Sequence, residues 1–436
     1  MVTSRLPGFY KRTLEERRRI AAEALGVDVR DLERAIGAGG LDAERADKTI
    51  ENVIGTYAMP FALGLNVRLN GRDYLVPMVV EEPSVVAAAS NAAKIIRSGG
   101  GFEGASDPPW MISQVQVDQV PDVEAATARL LAARSALLAE ADAAIPGLVE
   151  RGGGARDIEV RDLGDGALVV HVLVDCCDAM GANLVNTVAE HVAERVVDLS
   201  GGRVGLRILS NLADRRRVRI RCAIPAPELA FNGYGGEDVR DRIVRASRFA
   251  ERAPYRAATH NKGTMNGVDP VVIATGNDWR AVEAGAHAFA AREGRYGPLC
   301  TWRRGEDGSL VGDLEMPLAL GTVGGTLRVH EGARFGLQVA GVDSAQELAM
   351  LAGCAGMASN LAALRALATD GIQRGHMALH ARSVAIAAGA RGPHVEKVAK
   401  AIHEAGVVTV DAARRALRSL GALEDGEEHE RAPAAS

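Results

Sequence analysis

The sequence predicts an α+β protein with three parts: a large mixed helical and sheet domain, a compact βαββαβ unit inserted into it, and a small helical C-terminal part. Three observations lead there. Hydrophobic residues make up 47% of the 436 residues and aromatics only 4%, so the interior must be built from Ala, Val, Leu and Ile, in a chain longer than one core normally covers. Helical and alternating periodicities both occur, and between Trp110 and Ser210 they run strand, helix, strand, strand, helix, strand. Beyond His376 only short helical patterns remain, separated by Gly389, Gly392 and Gly406.

In chain order, residues 13–38 and 42–51 read as short helices with charged outer faces. Residues 66–80 read as a hairpin turning at Asn70-Gly71, a pair that supplies the two positive φ angles of a two-residue turn. A helix follows from Ser84 to about Arg97, because Pro83 suits a first turn and the Ala-rich run has high helix propensity. The stretch Gly99-Gly100-Gly101-Phe102-Glu103-Gly104 spells G-x-G-x-x-G, yet it follows a helix rather than a strand. That order excludes a Rossmann phosphate turn and leaves a flexible loop between two domains.

From Trp110 the pattern gives a strand at 111–120, a helix at 123–150, strands at 157–163 and 167–176, a helix at 181–199 and a strand at 203–210. This is the split-βαβ, ferredoxin-like order, so a small domain is expected at 109–211, inside a large domain formed by 1–108 and 212–374. The large domain resumes with a strand at 217–224 and a helix at 235–253, then a loop around Lys262, a strand at 271–274 and a helix at 279–292. A strand pair near 299–302 and 310–315 and helices at 345–357 and 361–368 complete it. Residues 375–436 form a small mobile helical flap, whose polar end from Glu424 reads as a disordered tail.

The formal net charge of −5 gives no electrostatic footprint for nucleic acid, and the run Arg215-Arg216-Arg217 reads as a solvated strand end. Five scattered cysteines without a CxxC pair argue for a reducing compartment and against structural zinc. The N-terminus lacks the apolar core of a signal peptide, and no uninterrupted apolar run reaches the roughly 18 residues of a membrane span. The expectation is a cytoplasmic protein that engages neither nucleic acid nor membrane.

Chemistry-bearing side chains concentrate in a few segments. Tyr255-Arg256-Ala257-Ala258-Thr259-His260-Asn261-Lys262-Gly263-Thr264-Met265-Asn266-Gly267, followed by Ala274-Thr275-Gly276-Asn277-Asp278-Trp279, sets a lysine, an aspartate and amides among glycines. Lys262 fits either a solvated cation or an oxyanion stabiliser held by a carboxylate; Asp278 also fits a helix N-cap. Glu82 fits a helix-dipole partner, which would keep it ionised, or a proton donor, which would require burial beside another carboxylate. Asp175-Cys176-Cys177-Asp178-Ala179-Met180-Gly181-Ala182-Asn183 fits an ordinary strand-to-helix turn capped by Asp178 and Asn183, or a helix N-terminus that receives phosphates. His376 and His380 share a helix face but lack the Glu of H-E-x-x-H and a third ligand, so no metal is expected and His380 is assigned to packing.

Together with Glu81-Glu82-Pro83-Ser84-Val85-Val86-Ala87-Ala88, Glu51-Asn52-Val53-Ile54-Gly55, Asp178-Ala179-Met180-Gly181 and Gly375-His376-Met377, these segments resemble the 3-hydroxy-3-methylglutaryl-CoA (HMG-CoA) reductase family, in its soluble bacterial class II form. The resemblance runs nearly end to end. It implies an oxidoreductase that interconverts (S)-HMG-CoA and mevalonate plus CoA by two hydride transfers with NAD(P)H. The implied catalytic residues are Glu82, Lys262, Asp278 and His376. Lys262 would stabilise charge on the carbonyl oxygen, Asp278 would orient Lys262 and raise the proton affinity of Glu82, Glu82 would act as general acid, and His376 would protonate the departing thiolate beneath a closing flap.

Ser84, Asn211, Arg256 and Asn266 are the implied substrate-binding positions, with Arg256 in a bidentate pair with the substrate carboxylate. Asp178, Met180, Gly181 and Asn183 are the implied cofactor positions, in a nucleotide-binding small domain. Glu51-Asn52-Val53-Ile54-Gly55 would lie in the CoA and subunit-contact region of a homodimer or higher symmetric homo-oligomer. The chain departs from NAD-using relatives where they carry an acidic residue, here Ile145; Asp142, one turn earlier, is its substitute, and NAD(H) is favoured with NADP(H) as the alternative. It departs also at Tyr10 and Ser359. The competing reading is another CoA-thioester enzyme, a lyase or acyltransferase, which would need an essential Cys or Ser.

Overall fold

A computed structural model describes residues 3–37, 39–369 and 381–421. They form two compact units, one of 1–81 with 85–362 and a smaller one of 82–84 with 363–436.

The larger unit begins with three capped helices, α1 (Leu14–Leu25), α2 (Val29–Ile36) and α3 (Ala43–Asp47). Thr13 and Glu16 close a reciprocal capping box on α1, and Asp28 and Asp42 cap α2 and α3 through Arg30 N and Arg45 N. The hairpin forms as expected from β1 (Phe61–Leu69) and β2 (Arg72–Val79), with Asn70 at φ 49° and Gly71 at φ 83°. Helix α4 (Val85–Ser98) then buries Ala89, Ala92, Ala93 and Ile96.

The glycine stretch after α4 is a packed turn rather than a flexible loop. A Cβ on Gly99 would lie 1.8 Å from Ala223 O and one on Gly101 2.5 Å from Arg68 O, so glycine is needed for backbone contact rather than for mobility. The turn leads into β3 (Glu103–Ser106), an unforeseen edge strand of the antiparallel sheet β3-β8-β10-β9, with β8 (Arg217–Ile224), β9 (Cys300–Arg304) and β10 (Leu310–Pro317).

Between β3 and β8 the chain builds a second sheet with the order β5-β6-β4-β7, antiparallel throughout, from β4 (Trp110–Asp118), β5 (Gly154–Gly164), β6 (Ala167–Asp175) and β7 (Arg203–Ser210). With its helices on one face this is the ferredoxin-like arrangement, and it carries its own core, including Met111, Val115, Leu130, Val170, Val188 and Val192. The helix expected at 123–150 is three pieces: α5 (Val123–Ala132), α6 (Arg134–Ala143) and α7 (Pro146–Val149). Ala133 leaves helical geometry at ψ 7°, and Pro146 forces Ile145 out of it. Helix α8 (Ala182–Ser200) follows β6 as expected.

After β8 come α9 (Gly236–Arg252), α10 (Pro254–Ala274), α11 (Trp279–Ala290), α12 (Glu331–Ala340) and α13 (Ala345–Ala368). Three expectations fail here. The Lys262 loop and the strand at 271–274 are one continuous helix, α10, whose glycines serve packing: a Cβ on Gly267 would meet Ala355 O of α13 at 2.1 Å. The two helices at 345–368 are also one, because buried Asn360 does not break α13. It donates to His260 O (3.1 Å) and Thr264 Oγ1 (3.2 Å) of α10 and accepts from Trp302 Nε1 (2.8 Å). Helix α12 was not anticipated; it seats Gly336 against Ala274 O, where a Cβ would lie at 1.9 Å.

The basic run is not a solvated strand end either. Arg216 is only 4% exposed, while Arg215 pairs with Glu159 (2.5 Å) and Arg217 with Asp107 (2.7 Å). Among the described residues α13 is the one helix long and apolar enough to cross a membrane, and 78% of that window is buried within the protein.

In the smaller unit, α14 (381–387), α15 (Pro393–Glu404) and α16 (Val410–Ser419) share a core that includes Ala385, Val398, Ile402 and Leu417. His376, His380 and the polar tail from Glu424 lie outside the described residues.

Candidate active site

Helix α10 carries three of the expected site residues. At 100° per residue, Lys262, Asn266 and Arg256 fall within an arc of about 120° that also holds Tyr255 and Thr259. The opposite arc is buried at Ala257, His260, Thr264, Val268 and Val271. The site arc faces outward in the single chain, with Lys262 and Thr259 exposed, Asn266 and Arg256 half-buried and Tyr255 93% exposed. Burial holds the Arg256 guanidinium below its ordinary pKa.

The buried side anchors the helix. His260 donates through Nε2 to Cys300 O (2.7 Å), and burial pushes its pKa down to about 4, so it is a neutral fixture in the working pH range. Asn261, fully buried, donates to Tyr296 Oη (3.0 Å) and Gly297 O (2.9 Å) and accepts from Leu299 N (2.9 Å). Pro270 removes one helical N–H near the C-terminal end, and α10 stops at Thr275.

Asp278 is the N-cap of α11. Its Oδ1 accepts from Arg280 N (3.0 Å) and Ala281 N (3.2 Å), so the structural role read from the sequence is present. The three-residue link from α10 places it just beyond the helix that carries Lys262. Asn211, at the end of β7, packs against the same α11: a Cβ on Gly285 would meet Asn211 O at 2.5 Å.

Asn277, beside Asp278, reads both backbone groups of Gly321, donating to its carbonyl (3.1 Å) and accepting from its N–H (2.7 Å). Gly321 in turn touches the Asp178-Ala179-Met180-Gly181 turn, where a Cβ on it would lie 2.6 Å from Met180 N. Thr322 N donates to Asp178 O (2.9 Å), and Ala179 bridges Val323. The buried Arg216 guanidinium closes the arrangement by donating to Ala179 O (3.1 Å), Met180 O (3.2 Å) and Leu320 O (2.5 Å).

That turn opens α8 without a side-chain cap. Gly181, at φ 101°, is the N-cap, and any Cβ there would lie 2.4 Å from Cys176 Sγ. Asp178 does not cap α8 as expected: its Oδ1 accepts from Ala345 N (2.8 Å) at the start of α13. Asn183 lies exposed in the first turn of α8. The N-terminus of this 19-residue helix has no side-chain cap, and helix termini of that kind favour anions. Asp142, on α6, is half-buried and accepts through Oδ1 from Ala155 N (2.7 Å), and Ile145 is buried.

Lys262, Arg256, Asn266, Asp278, Asn211 and the Asp178–Asn183 segment thus belong to the larger unit, while Glu82 and Ser84 group with the smaller one, between β2 and α4. Glu82 is half-buried, and Ser84 adopts φ 80°, a conformation a non-glycine residue rarely takes and one that clusters at ligand sites. Sequence reasoning missed Asn277, Arg216 and Gly321. The signal available for Gly321 was the non-periodic run Gly321-Thr322-Val323-Gly324-Gly325-Thr326, left without an assignment.

A cavity of about 1520 Å³ opens elsewhere in the larger unit, with Leu6, Phe9, Phe61 and Phe335 in its walls and Arg5, Arg17, Lys94 and Arg97 among its polar lining.

Residues 13–381 match the family model described as hydroxymethylglutaryl-coenzyme A reductase. The chain is 46% identical over 422 residues to the 3-hydroxy-3-methylglutaryl-coenzyme A reductase of Archaeoglobus fulgidus, covering 96% of this chain and 95% of that protein. A probable enzyme of the same name from Borreliella burgdorferi is 35% identical, over 77% of each chain. Among solved structures, 3-hydroxy-3-methylglutaryl-coenzyme A reductase from Streptococcus pneumoniae superposes with a TM-score of 0.81 at 40% identity, covering 95% of this chain and 99% of that one. A structure of the class II enzyme from the same organism, bound to NADPH in open conformations, matches with a TM-score of 0.80 at 41% identity over 83% of this chain and 99% of that one.

Proposed function

The chain belongs to the hydroxymethylglutaryl-CoA reductase family, in its class II branch, and from that premise we propose that it interconverts (S)-HMG-CoA and mevalonate plus CoA in mevalonate metabolism. The observation that carries this reading is the outward arc of α10, which presents Lys262, Asn266 and Arg256 together, with Asp278 beyond the helix end after a three-residue link.

Reducing a thioester to an alcohol requires two hydrides, protons and the loss of a thiolate. A bound nicotinamide supplies hydride. Lys262 stabilises the negative charge that develops on the carbonyl oxygen, an interaction worth roughly 3–4 kcal/mol in a site closed to water. With Asp278 Oδ1 held by helix N–H groups, Oδ2 is the oxygen we assign to orienting Lys262. Glu82 gives a proton to the substrate oxygen, and His376 gives one to the departing thiolate, whose pKa lies near 8.5 by analogy with cysteine. Arg256 and Asn266, with Asn211 and Ser84, hold the hydroxymethylglutaryl group. The cavity, which combines apolar walls with Arg5, Arg17, Lys94 and Arg97, is assigned to the phosphates and pantetheine arm of CoA.

We assign the cofactor to Asp178, Met180, Gly181 and Asn183, in a dinucleotide-binding domain of residues 109–211, with 375–436 as the flap. NAD(H) is favoured over NADP(H): Arg156, across the Gly152 turn, is already engaged by Gly152 O and Asp175, and Asp142, assigned to the ribose, would repel a 2′-phosphate. Parallel titrations with NADH and NADPH test that choice. The remaining assignments are a cytoplasmic homodimer or higher symmetric oligomer.

A thiol-dependent lyase or acyltransferase is disfavoured because burial pushes the Cys176 and Cys222 thiols up to about 12 and raises those of Cys300, Cys354 and the half-buried Cys177 as well. Purified protein given mevalonate, CoA and NAD or NADP should generate reduced cofactor. No rise in its absorbance with either dinucleotide would refute the proposal.

A further inference from the structure

Two turns assigned to different tasks, Asp178–Gly181 for the cofactor and Asp278 for the acid site, are built on one short strap, residues 317–323. Arg216 fixes the strap from one side. Its guanidinium donates to Leu320 O in the strap and to Ala179 O and Met180 O in the cofactor turn, while its own carbonyl accepts from Leu318 N (3.1 Å). Asn277 fixes it from the other by pairing both ways with Gly321, and its own N–H donates to Val272 O (3.0 Å) near the end of α10.

The chemistry of Arg216 is uneconomical for stability alone. A guanidinium that is 4% exposed is satisfied here by neutral carbonyls, where an apolar side chain of similar volume would avoid the desolvation of a charge. What the arginine supplies is direction: its planar fork fixes three carbonyls of two segments in one geometry, which no aliphatic chain and no lysine reproduces. Gly321 adds that the strap and the turn touch backbone to backbone, leaving no side chain between them to absorb a displacement.

We propose that Arg216 and Asn277 are positioning residues that, acting through Gly321, hold the cofactor turn and Asp278 in one register, so that hydride donor and proton-side groups are placed together. The inference rests on the assignment of the Asp178–Gly181 turn to the cofactor.

The test uses the full-length protein with Arg216→Lys, Asn277→Ala and the double variant. Without any ligand, amide hydrogen exchange should quicken in both 178–182 and 277–281 for each single variant. Equilibrium titration with NADH should show binding weakened about five-fold or more, while KM for HMG-CoA stays within about two-fold. The double variant should be little worse than the more severe single one, because both changes loosen the same strap. Faster exchange confined to the segment bearing the substitution, unchanged NADH affinity, or losses that multiply would overturn the proposal. Should Arg216→Lys fail to fold, Gly321→Ala, whose methyl would stand 2.6 Å from Met180 N, must give the same paired loss. A wild-type protein that binds no nicotinamide dinucleotide would refute the cofactor assignment, and the exchange data would still decide the coupling.

Discussion

Lys262 shows how the setting of a single side chain can be misread from its neighbours. Its neighbours Gly263 and Gly267 suggested a loop, yet Gly267 is where α10 lies against α13, and the ammonium stands on a rigid helix instead. Replacing it with alanine should leave the fold intact by circular dichroism and lower kcat by a factor on the order of 100–1000 in both reductive steps. For His376→Gln, thioester reduction should suffer while mevaldehyde reduction survives; equal losses would contradict a thiolate-protonating role. Asp269 on α10 faces Glu283 on α11, which in turn contacts His287 Nε2 (2.6 Å), and burial followed by the Glu283 contact raises Asp269 from 3.8 to about 8. His287 Nδ1 accepts from Tyr296 Oη (2.7 Å), completing the chain of groups around the pair. Because the folded protein keeps a proton that the unfolded chain releases, stability should fall as pH rises from about 4 to about 8. Asp269→Asn, which keeps a donor toward Glu283, should therefore melt higher than wild type at pH 8, by about 1–3 kcal/mol, with the gap closing toward acid pH. An unchanged gap across that range would show that the proton is not held.

Helices and strands were legible wherever the signal was local. Asn70-Gly71 announced its hairpin because only a few residues tolerate both φ angles, and the strand at 217–224 followed from the clean alternation that β8 shows. What remained hidden depended on distant partners. Asp178 caps α13, whose first residue lies 167 positions away, so no local reading could find it. Asn360 sits inside α13 only because α10 and Trp302 satisfy its amide, and the Gly99–Gly101 turn is tight only because β8 and β1 press on it. Gly267→Ala separates the local from the tertiary effect. Helix propensity alone predicts stabilisation of about 1 kcal/mol, whereas contact with Ala355 O predicts destabilisation of about 2–3 kcal/mol in chemical unfolding. A stabilised variant would mean that α10 and α13 are not held together as described.

The chain as a monomer leaves the site face of α10 open to water. Tyr255 is 93% exposed, and Ile54 and Tyr57, in and just after the Glu51–Gly55 signature, are 105% and 91% exposed, an arrangement that fits coverage by a second copy. Sedimentation should find a dimer or larger. Tyr255→Asp, placing a charge in that contact, should weaken association by on the order of 3 kcal/mol and lower activity in proportion; full activity from a monomer would contradict a shared site. The strand and helix order of the small sheet was readable from the sequence, whereas the strap joining the two turns was not, because its parts are far apart in the chain. The most direct measurement is the stoichiometry of reduced nicotinamide consumed per HMG-CoA, for wild type and Lys262→Ala. Two equivalents oxidised per thioester by the wild type, with the variant slowed at least 100-fold, is the expected result. Oxidation of one equivalent or none, or a variant as fast as the wild type, would contradict the account.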